Sequence, residues 1–168
     1  MARELAASLL LLPVAGCSLV LDFSDRAIPI DAAVDGPAPP VGCDYKEPNE
    51  TVATAAVIAP GDTGPAALCS ATDHDFYKIT VPAMTSQVAI RIAFSQRSGD
   101  LDLRLTDKTG QTMLAASLGF GDEEAIVCPS SACAALAADD YVFEVFPVGA
   151  AASNPYTLAL VLTPATAR

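Results

Sequence analysis

The chain has 168 residues, with 20 Asp and Glu against 9 Lys and Arg, a formal net charge of -11 and no tryptophan. That charge excludes binding to nucleic acid, or to an anionic lipid surface, through electrostatic attraction. The length is enough for one domain with a leader and a tether.

In chain order, Arg3 and Glu4 precede an apolar run from Leu5 to Val14, which ends in Ala15, Gly16 and Cys17. A permanent membrane helix needs about 20 apolar residues. The order of a charged start, a short apolar run and small residues is instead that of a secretory signal over residues 1–16. The ending Val14-Ala15-Gly16-Cys17 resembles the lipobox of bacterial lipoproteins, with Val14 where that family favours leucine. The resemblance implies cleavage before Cys17, a diacylglycerol on its thiol and acylation of the new amine. An ordinary cleaved signal that happens to precede a cysteine is the competing reading. Each buried methylene contributes about 0.8 kcal/mol, so several acyl chains on Cys17 anchor durably where one does not. Ser18 after the cysteine resembles outer-membrane sorting, and the expected location is the cell envelope, on either face of the outer membrane.

Residues 17–42 show little periodicity and end in Asp35-Gly36-Pro37-Ala38-Pro39-Pro40-Val41-Gly42, while Asp22, Asp25, Asp31 and Asp35 face only Arg26. Proline at this density predicts an extended, acidic spacer that holds a domain over residues 43–168 away from the membrane.

Five cysteines in an exported chain read as one anchor plus two disulfides. Cys43, Cys69, Cys128 and Cys133 allow three pairings. The Pro129-Ser130-Ser131-Ala132 turn favours local closure of Cys128 with Cys133, which leaves Cys43 with Cys69. That second bridge closes a loop of about 26 residues, worth roughly 3–4 kcal/mol in the chain-entropy description. No CxxC pair is present, so zinc is not expected.

Beyond Cys43 the pattern is short period-two runs separated by turn residues, which predicts an all-β, antiparallel, jelly-roll-like β-sandwich of about seven to eight strands. Strands are expected at Ala66–Cys69, Phe76–Val81, Gln87–Ser95, Leu101–Thr106, Gln111–Ser117, Ala125–Cys128, Tyr141–Pro147 and Tyr156–Leu162. In the clearest, Val88, Ile90, Ile92 and Phe94 form the core face. Leu101, Leu103 and Leu105 do so in the next, with Asp102, Arg104 and Thr106 on a wet face. Asp107-Lys108-Thr109-Gly110 makes the hairpin turn. A single helical turn capped by Asn49 or Thr51 is expected before Ala56.

Several segments resemble, in order, the bacterial pre-peptidase C-terminal domain: Asp44-Tyr45-Lys46-Glu47-Pro48-Asn49-Glu50-Thr51, Asp73-His74-Asp75-Phe76-Tyr77, Gly99-Asp100-Leu101-Asp102-Leu103 and Asp140-Tyr141-Val142-Phe143-Glu144-Val145 with Tyr156-Thr157-Leu158. The likeness runs from about Asp44 to Pro164. Glu50 stands where the family has Asp, and Asp139-Asp140 replaces a glycine before the closing strands. The resemblance implies a jelly-roll-like sandwich and a non-catalytic accessory module.

For chemistry, the one histidine is His74, between Asp73 and Asp75, and it reads as an exposed turn residue. No serine lies in a nucleophile elbow, and there is no HExxH and no phosphate loop, so no catalytic residues are expected. A hard cation suits the residues better: Glu47, Asn49, Glu50, Asp73 and Asp75 offer the carboxylate and amide oxygens that calcium prefers. The Cys43–Cys69 bridge would bring their two clusters together. Related collagen-binding domains bind calcium through matching positions, although one acidic ligand of theirs falls at Tyr45 here. The alternative is that these side chains only cap turns. Tyr77, Tyr141 and Tyr156 fit inward or edge positions equally, and Leu118 and Phe120 are expected in a loop tucked against the core, with exposed contacts as the alternative.

Three functions compete at this level: a lipid-anchored binding or adhesion module for extracellular protein or polysaccharide, a structural or assembly lipoprotein of the periplasm, and a peptidase inhibitor or small hydrolase. The sequence sets no oligomeric state, so a monomer is the default.

Overall fold

The computed structural model describes residues 43, 45–62, 64–149 and 154–166. The predicted signal sequence, the Cys17 anchor and the spacer lie outside the described residues. The strands are β1 (Ala56–Val57), β2 (Pro65–Leu68), β3 (Asp75–Val81), β4 (Thr85–Phe94), β5 (Asp100–Asp107), β6 (Met113–Ser117), β7 (Glu123–Cys128), β8 (Asp139–Val148) and β9 (Asn154–Pro164). A 3-10 turn, Gln96–Ser98, separates β4 from β5.

These strands form two sheets, one ordered β1-β3-β8-β5-β6 and the other β2-β9-β4-β7. Only β5 and β6 are sequential neighbours; every other connection passes between sheets or skips a strand, which is the jelly-roll-like sandwich that the alternation predicts. The pairs are antiparallel except β1 with β3.

Alternation places Tyr77, Ile79 and Val81 of β3, Leu101, Leu103 and Leu105 of β5, and Phe143 and Val145 of β8 on the inner face of the larger sheet. Val88, Ile90 and Ile92 of β4 face them with Tyr156, Leu158 and Leu160 of β9. Each fully buried aliphatic side chain contributes roughly 1.5–3 kcal/mol. Tyr77 stacks on Phe143 with ring centroids 5.1 Å apart.

Both disulfides form as the loop lengths suggest: Cys43 with Cys69, Cα atoms 5.8 Å apart, and Cys128 with Cys133, 5.0 Å apart.

The single turn expected before β1 forms, Thr54 N–H donating to the Thr51 carbonyl at 3.0 Å, and Thr51 caps it, its Oγ1 accepting the same N–H at 3.2 Å; Asn49, the other candidate cap, is fully buried. Two expectations need correction. The outer face of β5 is not wet: Asp102 and Thr106 are 7% and 8% exposed, and Thr106 Oγ1 donates to the Val142 carbonyl. The loop after β6 is not tucked in, since Leu118 is 62% and Phe120 91% exposed. Glycines on either side of Phe120 supply no apolar surface to hold the ring down.

Candidate cation site at the base of the first long strand

Two short segments converge where β3 begins. The Cys43–Cys69 bridge ties the start of the domain to the loop after β2. In that loop the Cys69 N–H donates to Asp73 Oδ2 at 2.6 Å, and Asp73 N–H donates to the Ser70 carbonyl. From the other side, Asn49 N–H donates to Glu47 Oε2 at 2.8 Å, and the Asn49 carbonyl accepts the Phe76 N–H at 2.8 Å. The side chains of residues 47 and 49 are thereby fixed against the first residues of β3.

The result is a carboxylate cluster: Glu47, Asp73 and Asp75 each present an oxygen within 4.8 Å of the others. Asn49 completes it from a fully buried position. Its NH2 donates to Asp75 Oδ1 at 3.2 Å and to Glu47 Oε2 and Oε1 at 2.9 and 3.1 Å, which satisfies the amide without a cation.

Asp75 has a second attachment. Its Oδ2 accepts the Tyr156 hydroxyl, and the Tyr77 hydroxyl lies 3.4 Å away. The two phenols bond to each other at 2.7 Å. Burial, then the charges of Asp73 and Glu47, push the Asp75 carboxyl up to about 7 despite the Tyr156 hydrogen bond. Glu47 is also raised, first by burial and then by the charges of Glu50 and Asp73. Burial likewise keeps both phenols protonated, so that they donate.

Of the five residues expected to hold calcium, four therefore meet. Glu50 is exposed and stands outside the cluster, acting on it only through its charge. Tyr45 packs against the core beside Gly64, where a Cβ would lie 2.2 Å from its ring. The donor set suits calcium in chemistry: all oxygen, mostly anionic, on two loops fixed by a disulfide. Glu47, Asp73 and Asp75 would supply part of the six to eight oxygens such an ion takes, Asn49 would join them only with its amide turned, and water or backbone carbonyls would complete the shell.

Tyr77 follows Asp75 by two residues and shares its face by strand periodicity, a signal legible in sequence. Tyr156, 81 residues away, leaves no such signal.

His74 turns to the opposite face of β3. Its Nδ1 lies 2.6 Å from Glu144 Oε1, and Glu144 is its only hydrogen-bond partner among the described residues. Glu144 is 3% exposed and accepts Arg104 Nε at 2.8 Å as well as Arg104 Nη2. Arg104 and His74 both lie against Phe146. The half-exposed histidine thus hydrogen-bonds to the buried Glu144 of the Arg104–Glu144 ion pair; it is not the exposed turn residue expected.

No family model and no curated protein matches the chain. Among solved structures it is similar to the crystal structure of the pre-peptidase C-terminal domain of collagenase from Bacillus anthracis. The TM-score is 0.51 at 14% identity, over 62% of this chain and 92% of that one. At that identity the likeness concerns the fold alone, and the β-sandwich described here is similar to that of a pre-peptidase C-terminal domain.

Proposed function

We propose that this chain is a lipid-anchored, non-catalytic binding protein of the bacterial cell envelope. Its acylated Cys17 and proline-rich spacer display one sandwich that adheres to extracellular protein or polysaccharide. The observation that carries the reading is the carboxylate cluster of Glu47, Asp73 and Asp75. A calcium ion held there would brace the two segments that the Cys43–Cys69 bridge brings together. The similar structure is, by its title, a domain of a collagenase. An extracellular protein target is in keeping with that context.

The test is an array of extracellular proteins and polysaccharides probed with the purified chain, once in millimolar calcium and once in chelator. Binding to a defined class, stronger in calcium, is the expected result. An array blank in both conditions would overturn the reading and favour a structural role in the periplasm. Labelling of the wild type by a tagged fatty acid, lost in Cys17→Ser, checks the anchor; labelling of neither removes it.

A further inference from the structure

Two segments build the carboxylate cluster, residues 45–49 and the loop 69–74 that leads into β3, and they are held in unequal ways. The first is fixed by contacts of its own. Tyr45 packs on the core, Lys46 Nζ pairs with Asp62 at 3.0 Å and donates to the Val57 carbonyl at 3.2 Å, and the Asn49 carbonyl accepts the Phe76 N–H. The loop has fewer ties. Asp73 N–H donates to the Ser70 carbonyl at 3.2 Å and Asp73 Oδ2 accepts the Cys69 N–H at 2.6 Å, both within the loop. Among the described residues the Asp73 carboxylate has no further hydrogen-bond partner. His74 bonds Glu144, but on the opposite face of β3. What joins the loop to the start of the domain is the Cys43–Cys69 bridge. Cys69 is thus a positioning residue twice over: its N–H orients the Asp73 carboxylate, and its sulfur holds the loop.

Electrostatics opposes this arrangement unless a cation is present. Oxygens of Glu47, Asp73 and Asp75 lie within 4.8 Å of one another, and like charges at that separation repel. Asp73, on the less anchored segment, is the group that repulsion displaces. A closed bridge resists that displacement. With a divalent cation bound, attraction would draw the loop to the same position. Bridge and cation therefore favour one closure. Slackening is confined to residues 69–74, because Leu68 stays paired with Asn154 and Asp75 with Val145.

On the calcium reading of this cluster, we propose that the Cys43–Cys69 bridge and calcium binding are coupled: closing the bridge arms the site, and bound calcium keeps the bridge closed. Opening the bridge takes two electrons and two protons. A dithiol reductant gives up both, closes to its own disulfide and leaves a thiol on Cys43 and on Cys69. Cys43 and Cys69 are half-buried, whereas Cys128 and Cys133 are 4% exposed or less, so the reductant meets the bridge at the cluster first. Coupling is reciprocal: if closure raises calcium affinity about tenfold, saturating calcium lowers the reduction potential of the bridge by about 30 mV. The chain would then bind calcium poorly in a reducing compartment and fully in an oxidising one, where disulfides persist.

The experiment is a redox titration of the full chain carrying Cys17→Ser, so that four cysteines remain. It is equilibrated in buffers of reduced and oxidised dithiothreitol, once with millimolar calcium and once with chelator. Alkylation and peptide mass mapping then read each bridge separately. The Cys43–Cys69 midpoint is expected to become more reducing in calcium by about 30 mV or more, the Cys128–Cys133 midpoint to stay put, and Glu47→Gln to abolish the difference. By calorimetry, the double variant Cys43→Ser/Cys69→Ser should bind calcium about tenfold more weakly or worse, with its far-ultraviolet circular dichroism unchanged. If that variant does not fold, the redox titration of the native cysteines decides. Equal calcium affinity with and without the bridge, a midpoint that stays put although calcium binds, or a shift that survives Glu47→Gln would overturn the coupling alone. A bridged chain that takes up no calcium would overturn the calcium reading beneath it.

Discussion

The hydroxyl of Tyr156 on β9 donates to Oδ2 of Asp75 on β3, joining the two sheets through side chains that are each 2% exposed. The bond occupies one oxygen of Asp75 and leaves the other facing Asn49. Tyr156→Phe keeps the ring and deletes the donor, so a buried carboxyl loses its best partner. The expected cost is about 1–3 kcal/mol in urea unfolding at neutral pH without calcium. Tyr77→Phe should cost less, because its contact with Asp75 is 3.4 Å long. An unchanged midpoint for Tyr156→Phe would show that the bond does not contribute to stability.

The cation reading separates residues that the sequence groups together. Glu47→Gln, Asp73→Asn and Asp75→Asn each remove charge from the cluster, whereas Glu50→Gln alters only an exposed neighbour. Millimolar calcium is expected to raise the melting midpoint of the wild type and of Glu50→Gln by similar amounts. At 100 times the dissociation constant, mass action gives about 2.7 kcal/mol. The other three variants should lose most of that rise. If all four respond alike, or the wild type does not respond, the cluster holds no calcium and Asn49 donates to both carboxylates.

How much of this was legible follows from the range of each interaction. Strand alternation is local, so the inward rows of β4 and β5 and the sandwich itself could be read from residues two apart. The acidic cluster was legible as two short segments because a disulfide spanning about 26 residues brings them together. The error at Asp102 and Thr106 has a different origin: alternation says which way a side chain points, not whether neighbouring strands cover it. The Arg104–Glu144–His74 network joins β5, β8 and the start of β3, and no pattern in the chain announces such a meeting.

That network makes a prediction of its own. Glu144 is buried, and Arg104 is the partner that offsets its charge. Arg104→Ala leaves a buried carboxylate with His74 alone. Because Arg104 is itself partly exposed, the expected loss is about 2–3 kcal/mol, at the low end of broken buried pairs. Glu144→Gln should cost less, since it removes the buried charge along with the pair. The order of the two losses, read by urea unfolding, is the check; Glu144→Gln as the worse variant would contradict it.

The pH dependence follows from carboxyls shifted in opposite directions. Burial, then the charges of Asp100 and Glu124, raise Asp102 from 3.8 to about 6. A raised carboxyl stabilises the fold fully below its unfolded pKa and loses that contribution as pH rises through the folded value. Asp75, at about 7 without a cation, acts in the same sense. Asp62, Asp139 and Asp140 are lowered, by hydrogen bonds and by Lys46, Lys108 and Lys78, so their contribution is lost only below about pH 4. Calcium-free protein should therefore be most stable near pH 5, with the melting midpoint falling from pH 5.5 to 7.5. Asp102→Asn should remove part of that fall, on the order of 1–2 kcal/mol. A midpoint that rises over this interval would refute the assignment.

The turn between β5 and β6 offers a test in which two causes can be separated. Gly110 has φ +74°, a backbone conformation that costs residues with a side chain about 1–2 kcal/mol. A Cβ there would also meet Val52 Cγ2 at 2.5 Å. Gly110→Ala is thus expected to cost about 2–3 kcal/mol, the sum of backbone strain and a clash. In a Val52→Ala background the clash disappears while the strain remains, so the same substitution should cost about 1–2 kcal/mol. The difference between the two backgrounds is the coupling energy of the pair, and it should favour the double variant by about 1 kcal/mol. Gly110→Asn discriminates further, because asparagine adopts left-handed backbone more readily than alanine but carries the same Cβ. It should outperform Gly110→Ala by a similar margin in both backgrounds, because it relieves the strain and leaves the clash unchanged. Equal costs for Gly110→Ala in both backgrounds would mean that Val52 yields freely, leaving the backbone conformation as the whole reason for glycine at this turn.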